Sequence, residues 1–137
     1  MGHAHDDDEA AIHAVIDGMY RAVWAKDFDA FASFHVQSDY ARRWAWWLPS
    51  TLVVKEGWDA IGERIRQVMA DPRMPDDVDA VVKRQNVNLR IMGDMAWVTF
   101  EQETPATAGW TLGVGGWSRE MRVLERHDGQ WKIAFFA

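Results

Sequence analysis

The string Tyr40-Ala41-Arg42-Arg43-Trp44-Ala45-Trp46-Trp47 holds the residue types that most invite chemistry in this chain. Extended as a strand, it sets Trp44 and Trp46 on one face and Arg43 and Trp47 on the other. Parallel indoles make a floor for a flat apolar or aromatic ligand, and a neighbouring Arg can hold a carboxylate or enolate oxygen by a charge-assisted bond. The same residues also make sense as packing, with the indoles filling the interior and Arg42 and Arg43 solvated or stacked on rings.

Proton transfer needs a base of tuned pKa and a donor for a developing oxyanion, and four side chains are candidates: His35, Tyr20, Asp39 and Arg119. His35 lies on the apolar face of a short helical stripe, where it either titrates near neutrality inside the fold or is a hydrogen-bonded core histidine. Tyr20 and Trp24 sit one turn apart on a longer stripe, so both reach the interior, and a buried Tyr hydroxyl needs a partner. Arg119, Met121 and Val123 share one strand face, while the opposite register turns Glu120 and Arg122 the same way. Glu101 and Glu103 share a face with Trp97; they perturb one another's pKa if enclosed and are surface or interface residues if that face is outward. His13 and His127 are expected at the surface.

A small set of elements must position these groups. Ile12, Val15, Ile16, Met19, Tyr20, Val23 and Trp24 recur at helical spacing and predict a helix over about 7–25, opened by the Asp6–Asp8 carboxylates after a flexible tail at 1–6. Asp27 is placed to cap a second short helix carrying Phe28, Phe31, Ala32 and His35. Residues Asp39 to Val54 predict two strands or one bent strand, and Trp58, Ile61, Ile65, Val68 and Met69 a third helix ending before Pro72. A Pro- and Asp-rich loop runs from Pro72 to Asp79. Val81–Met92, Met95–Thr104, Trp117–Arg126 and Trp131–Ala137 read as strands, with a long loop at Pro105–Gly116 and hairpin turns at Gly93-Asp94 and Asp128-Gly129. Helices first and hairpin-linked strands after them predict an α+β fold, with the helices packed on one face of a strongly curved antiparallel sheet.

A chain of 137 residues makes one domain, expected over 7–137. Its net charge of -6 argues against nucleic-acid partners. With no cysteine there is no disulfide, Cys-ligated zinc or thiol nucleophile. No apolar run approaches the roughly 20 residues of a membrane span, so a cytoplasmic location is expected. Nine Trp, six Phe and two Tyr bury more area than closing a small core requires, so some of these rings should line a cavity or an interface. Met1-Gly2-His3 is formally a copper- or nickel-binding pattern, but a floppy acidic tail explains it, and neither a metal nor a cofactor is expected. Gly109–Gly116 lacks the following helix and the Lys-Ser/Thr of a phosphate loop.

Four strings in order carry a family resemblance: Ala25-Lys26-Asp27-Phe28-Asp29-Ala30-Phe31, Glu56-Gly57-Trp58-Asp59-Ala60-Ile61, Gly93-Asp94-Met95-Ala96-Trp97-Val98, and Arg122 through Ile133. From about residue 8 to 137 the chain resembles the nuclear-transport-factor-2-like superfamily, the cystatin-like cone that includes SnoaL-like cyclases, ketosteroid isomerase and scytalone dehydratase. The resemblance implies a pocket between helices and concave sheet, and often a dimer through the sheet's outer face. No named activity carries over. The isomerase's general base aligns near Arg43, its helix-one Tyr at Met19 and its second carboxyl near Met121; the dehydratase's Tyr-Asp pair aligns with Val23-Trp24 and its strand His near Trp117.

On that resemblance the pocket is lined by Tyr20, Trp24, Arg43, Trp44, Trp46, Phe100, Met121 and Phe135, with Arg119 facing into it. The expected ligand is a small hydrophobic or aromatic molecule, handled by a cofactor-free isomerase, cyclase or hydratase. The competing reading is a non-catalytic module that pairs through Trp97, Trp110 and Trp117 on the outer sheet face.

Overall fold

Helical spacing and two-residue alternation resolve into three helices and six strands in the computed structural model, which describes residues 2–47, 51–72, 83–104 and 116–137. The order is α1 (Gly2–Trp24), α2 (Phe28–Ser33), β1 (Arg42–Trp47), β2 (Thr51–Glu56), α3 (Trp58–Ala70), β3 (Lys83–Met92), β4 (Met95–Thr104), β5 (Gly116–His127) and β6 (Gln130–Phe136). The Asp39–Val54 segment is therefore two strands. Most of the loops expected at Pro72–Asp79 and Pro105–Gly116, with Trp110, fall outside the described residues, as does the side chain of Trp46.

Local chemistry accounts for the boundaries. Asp27 caps α2 as expected, its Oδ1 accepting from the Ala30 amide at 3.1 Å. Gly57 caps α3 with φ 88° and ψ 152°, a region essentially reserved for glycine. Asp128 and Gly129 both take positive φ, 53° and 77°, as a type I′ hairpin turn requires. α1 starts at Gly2, several residues before the predicted opening. Asp8 lies within the helix and makes tertiary contacts instead of capping it: it accepts from Arg126 Nη1 at 3.0 Å and from the Trp131 indole at 3.1 Å, tying the helix to β5 and β6.

The strands form one sheet in the order β2-β1-β6-β5-β4-β3. Every pairing is antiparallel except β1 with β6, a short parallel junction at Arg42↔Phe135 and Arg43↔Phe136. The helices cover one face. Ile12, Ile16 and Met19 of α1, Phe31 of α2 and Ile61 and Ile65 of α3 meet Val98, Phe100, Leu124 and Ile133 of the sheet. Each such burial stabilises by about 1.5–3 kcal/mol. Arg84 of β3 reaches over to α1, bonding Asp17 and the Nδ1 of His13. Among the described residues no helix is long and apolar enough to cross a membrane.

Candidate functional site

Strand register decides which side chains enter the helix-covered interior. Ala96, Val98, Phe100 and Gln102 of β4 are all buried, so their face is the inner one. Val98 pairs with Arg122 and Phe100 with Glu120, and cross-strand partners project to the same side, so Arg122 and Glu120 also point in. On β6 Phe136 pairs with Arg122, and on β1 Arg43 pairs with Phe136. Three strands and α1 thereby bring Tyr20, Arg43, Gln102, Glu120 and Arg122 together in an otherwise apolar interior.

Tyr20, Glu120 and Arg122 form a closed triangle. Arg122 Nη2 donates to the Tyr20 oxygen at 2.7 Å and to Glu120 Oε1 at 2.9 Å, and the Tyr20 hydroxyl donates to the same carboxylate oxygen at 3.2 Å. Arg122 Nη1 donates to the carbonyls of Met121 and Ala137 at 2.9 and 3.0 Å. Its side chain is 0% exposed, against 14% for Glu120. Tyr20 is half-buried as a residue, its hydroxyl being the enclosed end. Burial is the largest influence on that hydroxyl and pushes its pKa up to about 12; Arg122 and a Gln102 hydrogen bond work the other way. It therefore stays protonated at neutral pH.

Arg43 approaches from β1. Its guanidinium carbon lies 3.7 Å from the centre of the Phe136 ring, and that of Arg122 lies 3.6 Å from the same centre. Burial, then the neighbouring Arg122 charge, draws the Arg43 pKa down to about 10, which leaves it cationic at pH 7. Several buried polar atoms find no partner among the described residues: Arg43 Nη1, Arg122 Nε, Gln102 Oε1, His35 Nε2 and Trp24 Nε1. Buried polar atoms are ordinarily paired, so such a concentration is informative.

His35 sits just beyond α2, stacked on Phe31 at 4.1 Å and beside Trp58 at 5.6 Å. Its Nδ1 donates to the Phe31 carbonyl at 2.8 Å, which leaves Nε2 as the lone-pair nitrogen. Burial first, and Arg43 and Arg122 after it, lower its pKa to about 3 against the Phe31 carbonyl's opposing pull. It is a neutral core histidine at pH 7, the hydrogen-bonded one of the two readings its place on the apolar face allowed.

The other predicted residues separate. Trp24 and Phe100 are buried in the core. Arg119 is exposed on the outer face opposite Glu101, because β5 takes the register that turns Arg122 inward. Met121 is outward for the same reason. Trp44, 44% exposed, also faces out and meets Phe135 edge-on at 5.1 Å, so neither belongs with Arg43 in the interior. Asp39 is exposed in the loop before β1, where Ser38 Oγ donates to it at 3.3 Å. Gln102 was missed, although its place in the period-two run after Ala96, Val98 and Phe100 marks it as a polar group on the buried face. Among the described residues no three His, Asp or Glu side chains converge as a metal site.

Two surface features lie apart from this interior. Outside the sheet, Met92, Met95, Trp97, Met121 and Val123 line an apolar groove of about 500 Å³. Near the hairpin turn at the end of β5, Glu125 Oε1 accepts from the Tyr40 hydroxyl at 2.5 Å and contacts His127 Nε2 at 2.8 Å, beside a recess of about 510 Å³ lined in part by Tyr40, His127 and Lys132.

Residues 12–136 match the SnoaL-like domain family. No curated protein matches the chain. Solved structures do. An NTF2-like protein of unknown function from Pseudomonas putida KT2440 superposes with TM-score 0.69 at 16% identity, over 96% of this chain and 84% of that one. A Nostoc punctiforme protein of unknown function with a cystatin-like fold gives 0.69 at 10% identity, over 94% and 87%. The association domain of C. elegans CaMKII gives 0.66 at 18% identity, over 97% and 95%. At these identities the likeness establishes the fold.

Proposed function

The chain belongs to the SnoaL-like domain family of the NTF2-like superfamily, and we propose that it binds a small, largely apolar molecule in the interior roofed by α1, α2 and α3. The observation that supports this reading is the Tyr20–Glu120–Arg122 triangle, set among core side chains with unpartnered buried polar atoms around it. Polar groups enclosed this way destabilise a fold unless they are paired, so their retention points to a use. The chemistry they support is cofactor-independent proton transfer. Glu120 is the enclosed carboxylate that can take a proton from a carbon next to a carbonyl. Tyr20, protonated at neutral pH, can donate a hydrogen bond to the resulting enolate oxygen, and return of the proton to a different carbon would complete an isomerisation.

A thermal-shift panel of aromatic acids, steroids and polyketide-like compounds tests the reading. At least one class is expected to raise the unfolding midpoint of the wild type, with the shift reduced in Tyr20→Phe. A panel in which nothing stabilises the chain would sink it.

A second reading concerns self-association, and the exposed apolar side chains of the outer sheet face support it: Met92, Met95, Met121 and Trp117. A structural neighbour is itself an association domain. We propose a second copy of this chain as the occupant of that face, with Trp97 in the groove and Trp117 beside it. Met121→Glu places a charge in the apolar groove and is expected to shift the chain from dimer to monomer by light scattering, with its unfolding midpoint little changed. A wild type that is monomeric at high micromolar concentration would exclude this interface.

A further inference from the structure

Arg43 differs from Arg122 in having no carboxylate in ion-pair contact. Arg122 has Glu120 at 2.9 Å, whereas no carboxylate lies within ion-pair distance of Arg43 among the described residues. Arg43 is partly buried, its Nη1 is enclosed and has no hydrogen-bond partner, and the aromatic face of Phe136 at 3.7 Å is the group it rests on. A ring face attracts a cation but accepts no conventional hydrogen bond, so the donor remains open. A second cation, Arg122, lies against the same ring, and its Nε is also unpartnered.

Enclosing a charged donor such as Nη1 without an acceptor is unfavourable, and the repulsion of a second guanidinium adds to it. A partly buried and a buried guanidinium with one side-chain carboxylate, Glu120, between them make a region of positive potential, where an entering anion is held more strongly than in water. The ring of Phe136 is held between the two guanidinium groups, and Phe100, 5.3 Å from Arg122, adds apolar surface beside them. We propose that Arg43 is the anion-receiving group of the interior, and that the ligand is an organic acid with an apolar body whose carboxylate oxygen, or an enolate oxygen in its place, accepts from Arg43 Nη1. This deepens the small-molecule reading above and rests on it.

The probes are 2-naphthoate and its neutral isostere 2-naphthamide, titrated calorimetrically into the full chain at pH 7 and low salt. The naphthoate is expected to bind at least about tenfold more tightly, the size of preference a charge-assisted contact in an enclosed site confers. Arg43→Gln should bring the two probes to parity. Gln102→Glu, which supplies an internal anion beside the cluster, should abolish the naphthoate preference independently of whether the Arg43 variant folds. Removal of a charge whose Nη1 is enclosed and unpartnered predicts, besides, that ligand-free Arg43→Met melts no lower than the wild type.

Equal affinity for the two probes would overturn the anion assignment and leave the small-molecule reading standing. A naphthoate preference that survives in Arg43→Gln or Gln102→Glu would place the anion elsewhere and overturn it as well. So would a collapse of ligand-free stability in Arg43→Met, since that would make the residue structural. If naphthoate fails while neutral compounds of the thermal-shift panel bind, only the anion assignment falls; if nothing in either set binds, both fall.

Discussion

Glu120→Ala is expected to lower the free energy of unfolding by about 3–5 kcal/mol, the usual effect of removing one partner from a buried ion pair. Arg122 is the reason. With its side chain 0% exposed it cannot recover hydration, and Nη2 would keep only the Tyr20 oxygen at 2.7 Å. The carbonyls of Met121 and Ala137 would still accept from Nη1, which argues for the lower half of that range. Tyr20 would lose its acceptor at the same time. Urea unfolding at pH 7, followed by far-UV circular dichroism, reads the loss directly.

The double variant Glu120→Leu with Arg122→Met separates charge from shape. It removes both ions and refills the volume with apolar atoms, a change that is often neutral for stability. Its unfolding free energy should therefore lie well above that of Glu120→Ala, with a coupling of about 2–3 kcal/mol between the two sites. A loss of under about 1 kcal/mol in Glu120→Ala would mean that water reaches Arg122 in the native state. The triangle would then be a solvated surface feature, and the proton-transfer reading would lose its enclosed carboxylate.

The legible parts of the fold were those in which one face is apolar and the other is not. β4 alternates cleanly, Ala96, Val98 and Phe100 against Trp97, Thr99 and Glu101, and its bounds and inner face followed from that pattern. Asp27 and Asp128-Gly129 acted through backbone chemistry that needs no tertiary information. β5 was different, because Met121 and Val123 look more like core than Glu120 and Arg122 do. Only the pairing with β4 settles it, Val98 facing Arg122 and Phe100 facing Glu120. The site is therefore the place where the hydrophobic pattern points the wrong way, since a functional polar cluster must violate it. Trp44 failed for a related reason: a strand's alternation shows that Trp44 and Arg43 oppose each other but not which of them the helices cover. Arg43 goes in because it pairs with Phe136. Trp44 goes out with Phe135.

Acid should weaken this protein through His35, and the sign follows from the direction of its shift. The native pKa is lowered from 6.5 to about 3. Above about pH 6.5 the imidazole is neutral in both states, and its contribution to stability is fully present. As the pH falls from there toward 3, the unfolded chain takes up a proton that the folded chain refuses, so that contribution is lost. At about 1.4 kcal/mol per unit of separation, the change between pH 7 and pH 4.5 comes to about 2–3 kcal/mol. His35→Phe keeps the stack on Phe31, gives up the bond to the Phe31 carbonyl and cannot titrate. The variant should start about 1 kcal/mol less stable at pH 7. It should then overtake the wild type before pH 4.5, because the carboxylates common to both proteins cancel in the difference. Parallel stability curves would show that the native imidazole accepts its proton as readily as the unfolded one. Arg43 and Arg122 could not then stand close enough to repel it, and the interior would hold less positive potential than an anion site requires.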